Sequence, residues 1–318
     1  MTVARLTQLT TLSWLAATCM SVFLAWHRPS TGSFVLVVLL TTAHAWILGV
    51  EFCAINGLNK KDKAPAATRG ELLTAWWNEV ILVMQVFAWR QPFCSTAQPD
   101  FIAQNQQRGV VLVHGFCCNR ALWNPWIKSL RERGHTCVAV NLEPVFGSID
   151  DYTNTIEAAM RLVRQTTGTA PLLVGHSMGG LAIRAWLRAA IPGSPNVAHV
   201  VTIGSPHHGT WLGRFSHVKN GKQMRLLSAW LAQLECDEAQ ARENRLLNSM
   251  DLPPLPNLTC WYSNADNIVL PASTATLAHA DNRLARGVAH LALAFHPPIF
   301  KHCVHLLTHA GHVEPPKS

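Results

Sequence analysis

The pattern of apolar and polar positions changes character near residue 105 of this 318-residue chain. Before that point apolar residues come in long runs. Two of these, Leu6 to Trp26 and Ser33 to Val50, carry no Asp, Glu, Lys or Arg, and each is close to the ~20 residues that a membrane-spanning helix needs. A third run, Leu72 to Trp89, is interrupted by Asn78, Glu79 and Gln85. At about 100° per residue these three and Glu71 fall near one side of a helix, with Trp76, Trp77, Ile81, Met84 and Phe87 elsewhere. The run reads as an amphipathic helix lying in a membrane interface, with a third span as the alternative.

From about Asn105 onward, short apolar runs alternate with segments of helical periodicity, the mark of a mostly parallel sheet with helices on both faces. The strands expected are Gly109 to His114, Thr136 to Leu142, Pro171 to Gly175, Ala198 to Ile203, Leu258 to Tyr262 and a short last one at Leu284 to Val288. The helices expected are Ala121 to Arg133, Asp151 to Thr166, Met178 to Ala190 and Pro298 to His309. About forty residues from Thr210 to Met250 break the alternation and read as an inserted cap or lid, in which Glu235 to Glu243 form a solvated helix face. The domains expected are therefore a membrane anchor over residues 1–55, with helices at 6–26 and 33–50, then a linker over 56–104 holding the third helix at 71–89. An α/β domain, the candidate for any catalytic role, follows over 105–318, with its insert near 210–250.

Composition changes this picture only locally. The chain is 49% hydrophobic and 14% charged, and the apolar excess is concentrated in the first ninety residues. A cleaved signal peptide has an apolar core of only ~7 to 15 residues followed by small residues, whereas the first run here is longer and leads into His27-Arg28-Pro29, so an uncleaved helical hairpin is expected. Arg5, Lys60, Lys61, Lys63 and Arg69 flank the hairpin and only Arg28 lies in its turn. The positive-inside rule then puts both ends of the hairpin in the cytoplasm and the domain that follows with them, whereas a third span would move that domain to the other side. Nine cysteines without a CxxC pair or regular spacing point the same way, to free thiols in a reducing compartment. The formal charge of +8 has no accompanying aromatic-basic motif, so anionic lipid is the expected partner and nucleic acid is not.

The candidate chemistry lies in the α/β part. Gly175-His176-Ser177-Met178-Gly179-Gly180 contains a GxSxG pattern, which chance alone gives about once in ten chains of this length. Its setting is more specific, because Pro171 to Val174 reads as a buried strand and Leu181 to Leu187 as a helix. Ser177 then occupies a sharp strand-to-helix turn, its hydroxyl raised over free amides that favour developing negative charge. Acyl chemistry at that serine needs two backbone donors for the oxyanion. The amide of Met178 is one; the other is Phe116, where the strand at Val110 to Val113 runs into His114-Gly115-Phe116. Arg120 is expected to hold this loop through its carbonyls, and Cys117 and Cys118 to serve packing.

The acid and base partners of such a serine follow it in the chain, at the ends of later strands. Asp266 leaves the strand at Leu258 to Tyr262; Asp237, Asp251 and Asp281 have no preceding strand. Among the many downstream histidines, His290 follows the last short strand and precedes the last helix, with His296 as the alternative. His302, His305 and His309 share a helix face, read as a polar face with a metal site as the sharper alternative; no metal or cofactor is called for. His290 would take the proton from Ser177 and return it to the leaving alcohol, with Asp266 orienting the imidazole.

With these residues in place, the segment from about Arg108 to Pro297 resembles the bacterial triacylglycerol lipases and related esterases of the α/β-hydrolase superfamily. Four segments carry the likeness: His114-Gly115-Phe116, Gly175 to Gly180, Ile203-Gly204-Ser205-Pro206-His207-His208-Gly209-Thr210, and Ala265-Asp266-Asn267-Ile268-Val269-Leu270-Pro271. It implies an α/β-hydrolase fold, hydrolysis of lipid or other apolar acyl esters through an acyl-enzyme, and no triad role for His207 or His208. Some family members hold calcium, but no acidic pair stands near Val288 to His290. Coupled to the anchor, the resemblance implies a bacterial inner-membrane protein. Acyl transfer to another acceptor on the same fold, and a non-catalytic membrane scaffold, are the competing expectations. Chain length of the acyl group and oligomeric state are not legible.

Overall fold

The computed structural model describes residues 2–190, 196–247 and 256–309. Two long helices open the chain, α1 (Val3–His27) and α2 (Thr31–Leu58). The turn between them is closed by Ser30, whose hydroxyl accepts from the Ser33 amide while the Ser33 hydroxyl accepts from the Ser30 amide. The Trp14 indole donates to the Leu40 carbonyl at 2.8 Å and ties the two helices together. Their outer sides stay bare: Phe23, Trp46 and Val50 are 56%, 69% and 73% exposed. Burial of such a side chain is worth ~1.5–3 kcal/mol, so these helices are compatible with a membrane anchor.

The third helix begins at α3 (Arg69–Val83), runs on as a π-helix (Met84–Arg90) and ends in the short α4 (Gln91–Phe93). α1, α2 and the Arg69–Phe93 segment are each long and apolar enough to cross a membrane. The third helix is bound to the first two, through Trp76 to the Ala45 carbonyl at 3.0 Å and Gln8 to the Pro92 carbonyl at 2.7 Å. Its polar side turns to the α/β domain, where Glu71 meets Arg286 and Glu79 is buried.

α2 runs two turns past the Val50 limit of its apolar stretch because its end packs on the α/β domain. Phe52 and Ile55 share a small core with Ala265, Leu270, Ala289 and the partly buried Trp211, and Asn59 accepts the Ala272 amide.

The remainder is a six-stranded, wholly parallel sheet in the order β2-β1-β3-β4-β5-β6. Its strands are β1 (Val110–Val113), β2 (Cys137–Ala139), β3 (Leu172–His176), β4 (His199–Ile203), β5 (Asn257–Tyr262) and β6 (Asp281–Leu284). Side chains alternate between its faces. Val110, Leu112, Leu172 and Val174 pack under α5 (Asn124–Glu132) and α11 (Pro297–Thr308), whereas Val111, Val113 and Leu173 pack under α6 (Thr153–Thr167) and α7 (Met178–Ala190).

The insert holds a 3-10 turn (Trp211–Phe215), α8 (Lys219–Gln223) and α9 (Ala229–Leu247), and α10 (His290–Leu293) is a single turn before α11. α9 is not wholly a solvated face. Glu238 makes a bidentate ion pair with Arg184, which is 1% exposed, at 2.9 Å for both bonds, and pins the insert to α7.

One strand lies elsewhere than its apolar pattern predicts. β6 is Asp281–Leu284, and Ala285 to Val288 form the loop before α10. β6 is an edge strand paired only with β5. Backbone pairing rather than a buried face holds it: Asp281 and Asn282 are exposed, and Arg283 and Leu284 only partly buried.

Sheet order places the site. β2 lies on one side of β1 and β3 on the other, so the loops after β1 and β3 diverge at the point where the direction of sheet growth reverses, leaving a crevice at the strands' carboxyl ends.

Candidate active site

Ser177 stands between β3 and α7 with φ +55°, a left-handed conformation that a non-glycine residue adopts at a cost of ~1–3 kcal/mol. The Ser177 amide donates to the Ile203 carbonyl on β4 at 2.8 Å, and its carbonyl accepts from Gly180 at 3.0 Å. The turn closes only because its neighbours lack side chains. A Cβ on Gly179 would lie 2.5 Å from the Val113 carbonyl oxygen, and one on Gly115 would lie 2.7 Å from the Ser177 Cβ. The loop after β1 is therefore pressed directly against the serine.

That loop is held by His114. The Leu142 amide donates to its Nε2 at 3.0 Å, which leaves the proton on Nδ1 to donate to the Gly115 carbonyl at 2.9 Å. Burial lowers the His114 pKa to about 4, so the ring stays neutral. Fixing the Gly115 carbonyl also fixes the next amide, because C=O and N–H point opposite ways across a trans peptide. That amide belongs to Phe116.

Arg120 does not brace this loop, contrary to the expectation from its position. Its guanidinium donates to the Ala139 and Gln98 carbonyls and pairs with Asp100. The reach of a long side chain is settled by the nearest acceptors, and here these are the Ala139 carbonyl on β2 and oxygens of Gln98 and Asp100 in the segment before β1. Burial pushes the Cys117 thiol up to about 11 and Cys118 to about 12, and both stay protonated.

On the other side of the crevice, Asp266 leaves β5 and its Oδ1 accepts the Ile268 and Val269 amides, each at 2.8 Å. Its other oxygen, Oδ2, takes the His290 Nδ1 at 2.9 Å, with both residues buried. His290 makes this bond and His296, which precedes α11, does not. Burial pulls the imidazole pKa down, but the Asp266 carboxylate, with weaker help from Glu79 and Glu51, outweighs it and leaves His290 above the usual 6.5.

The His290 carbonyl accepts from His176 Nε2 at 3.1 Å, and the two rings lie 4.8 Å apart. Burial, then the neighbouring His290, lowers His176 to about 3. A neutral histidine beside Ser177 thus fixes the backbone of the charge-prone one. The Ser177 hydroxyl makes no hydrogen bond among the described residues.

His207 is fully buried, neutral, and bonded through Nε2 to the Thr202 hydroxyl at 2.9 Å. The exposed His208 meets Glu235 at 2.6 Å. On α11, His302 accepts from Trp261 and His305 stacks on His309, and among the described residues no three such side chains gather to hold a metal. His312 and Asp251 lie outside the described residues.

Asp266 is thus bonded to His290, His290 to His176 next to Ser177, and the loop that carries Phe116 is pressed on Ser177. Two side chains that shape the site escaped sequence reasoning, His114 and His176. Each adjoins a motif residue, and that adjacency was the available signal.

A parallel sheet carrying a serine on a strained strand-to-helix turn, with an Asp–His pair at later strand ends, defines the hydrolase class of α/β folds. Residues 109–279 match the family model described as alpha/beta hydrolase fold, more than half of the chain, and the chain belongs to that family. Comparison with curated protein sequences gives no match.

Among solved structures, the mature form of Bacillus licheniformis lipase BlEst2 is similar at TM-score 0.52 and 19% identity, over 66% of this chain and 94% of that one. Aspergillus fumigatus lipase B is similar at TM-score 0.50 and 15% identity, over 64% and 53%. At such identities the likeness is one of fold.

Proposed function

We propose that this chain is a membrane-anchored serine hydrolase of carboxylic esters, with Ser177 as nucleophile, His290 as general base and acid, and Asp266 orienting the imidazole. The observation that carries the reading is the His290 Nδ1 bond to Asp266 Oδ2 at 2.9 Å beside a serine at φ +55°. That bond leaves Nε2 as the ring nitrogen able to take a proton.

In the first step Ser177 Oγ attacks the ester carbonyl as its proton passes to His290 Nε2. The Phe116 and Met178 amides receive the oxyanion. Collapse of the tetrahedral intermediate breaks the bond to the alcohol, which leaves with the proton from His290. Water attacks the acyl-serine by the same route and releases the acid.

An apolar acyl chain suits the crevice: the Phe116 ring lies 6.0 Å from that of Phe146, which is 43% exposed. The lipase neighbours favour the same substrate class. The bare sides of α1 and α2, with five basic residues at the hairpin's ends and one in its turn, favour a bacterial inner-membrane anchor with the domain in the cytoplasm. All nine cysteines are free, which suits that compartment.

Fluorophosphonate labelling of membranes tests the assignment. Wild type is expected to label, and Ser177→Ala and His290→Ala are expected not to. A wild type that neither labels nor turns over any p-nitrophenyl ester from acetate to palmitate refutes it. Acyl transfer to an added alcohol at concentrations far below that of water would reassign the enzyme as an acyltransferase.

A further inference from the structure

Glu79 lies in the middle of the third helix, among Trp76, Trp77, Val80 and Ile81, and is 2% exposed. A carboxylate in such a place is costly unless it is bonded. Its Oε1 accepts the Leu291 amide at 2.8 Å and its Oε2 the Ala292 amide at 3.2 Å. These are the two residues after His290. The Ala289 side chain, which precedes the turn, offers no acceptor of its own.

Two more contacts run from the N-terminal helices to the same crevice. Glu51 on α2 accepts from the Asn267 side chain at 2.7 Å, and the Asn267 oxygen accepts the His290 amide at 3.3 Å. Gln91 on α4 accepts the Asn119 amide at 2.7 Å, three residues beyond Phe116. The helices expected to serve as a membrane anchor and as an amphipathic linker therefore contact the turn that carries His290, the loop of Asp266 and the loop after β1.

Resting on the ester-hydrolase reading above, we propose that Glu79 is a positioning residue for His290, and that the N-terminal helices form part of the catalytic unit. By accepting two consecutive amides, the carboxylate fixes the segment from which the imidazole projects. A displacement of about 1 Å there costs on the order of 10²-fold in rate. The groups facing His290 are Asp266 after β5, His176 at the end of β3, Glu79 on α3 and Glu51 on α2. Three of these are carboxylates that favour the imidazolium, and two come from the N-terminal helices.

The experiment uses the full chain in detergent and compares wild type, Glu79→Ala, Glu79→Gln and Arg286→Gln. The last breaks the Glu71–Arg286 pair, which lies on the same face of α3 without touching His290. Thermal melts, kcat and KM for p-nitrophenyl butyrate, and the pH profile of kcat/KM are measured.

Both Glu79 variants are expected to fold and to lose roughly 10- to 100-fold in kcat with KM within about twofold. Glu79→Gln should also move the acid limb to lower pH, because a negative charge favouring the imidazolium is gone. Arg286→Gln should keep the wild-type kcat and profile. Wild-type kcat and profile in both Glu79 variants overturn the proposal, and so does an equal loss in Arg286→Gln. Failure of both Glu79 variants to fold assigns the residue to stability and overturns it too. A wild type that neither labels with a fluorophosphonate probe nor turns over any p-nitrophenyl ester refutes the hydrolase reading itself; an active wild type with unaffected Glu79 variants refutes only this inference.

Discussion

The α1–α2 hairpin and the strands β1 and β3 are both built of apolar residues, yet they bury them in opposite senses. Leu112, Leu173 and Val111 are wholly inaccessible, closed in by helices on both faces of the sheet. Trp46 and Val50 on α2 point outward, and where the N-terminal helices meet the rest of the protein they do so partly through Glu51, Asn59 and Glu79. One region has its apolar groups inside, and the other exposes many of them and spends polar groups on contact. The difference shows that hydrophobic content says how much surface must leave water, and that the fold alone says what covers it.

The comparison can be broken at several points. It assigns the chemistry to the sheet region, so Ser177→Ala should lower kcat for p-nitrophenyl butyrate by on the order of 10⁴- to 10⁶-fold while leaving the melt unchanged. A smaller loss would place the nucleophile elsewhere.

Next comes the buried Arg184–Glu238 pair, whose side chains are 2% and 12% exposed. Removing one partner strands a charge, so Glu238→Gln should destabilise by ~3–5 kcal/mol, read from urea unfolding in detergent. Leu112→Ala should cost ~2–5 kcal/mol in the same assay.

Trp46→Ala should change that stability by no more than about 0.5 kcal/mol, because detergent surrounds the ring in both states. Equal costs for Leu112 and Trp46 would mean that the hairpin is a protein core after all.

The finest signal is in pH. The base must be neutral, so kcat/KM should fall as pH drops through the His290 pKa, and that acid limb should lie above 6.5 because the imidazole's carboxylate neighbours hold it up. A limb below 6.5 would show that burial outweighs the carboxylates.

Much of the fold was legible along the chain. Parallel strands buried on both faces are short unbroken apolar runs, and the four internal ones, β1, β3, β4 and β5, begin and end within one residue of their expected limits; the edge strand β2 is shorter, ending at Ala139. α7 runs from Met178 to Ala190 as its pattern predicts. β6 was displaced because an edge strand owes its place to backbone pairing, which leaves no mark in hydrophobicity.

At the site, Ser177, Asp266 and His290 could be proposed because their order and their places after strands are one-dimensional facts, and the structure bonds the last two to each other. Arg120 was misplaced because its reach depends on which carbonyls fold near it. Glu79 was noted only as a polar interruption of an apolar run, since its partners, the amides of Leu291 and Ala292, lie more than two hundred residues away.

By itself the sequence determined most of the elements, the two apolar helices of the hairpin and the residues proposed for acyl chemistry, because periodicity and local turn requirements act between neighbours. Only the tertiary structure decided that Asp266 bonds His290, that the rings of His114 and His176 are neutral, and that carboxylates from the N-terminal helices end at the loops around His290. Those outcomes depend on burial and on hydrogen-bond partners distant in sequence, which exist only once the sheet has brought them together.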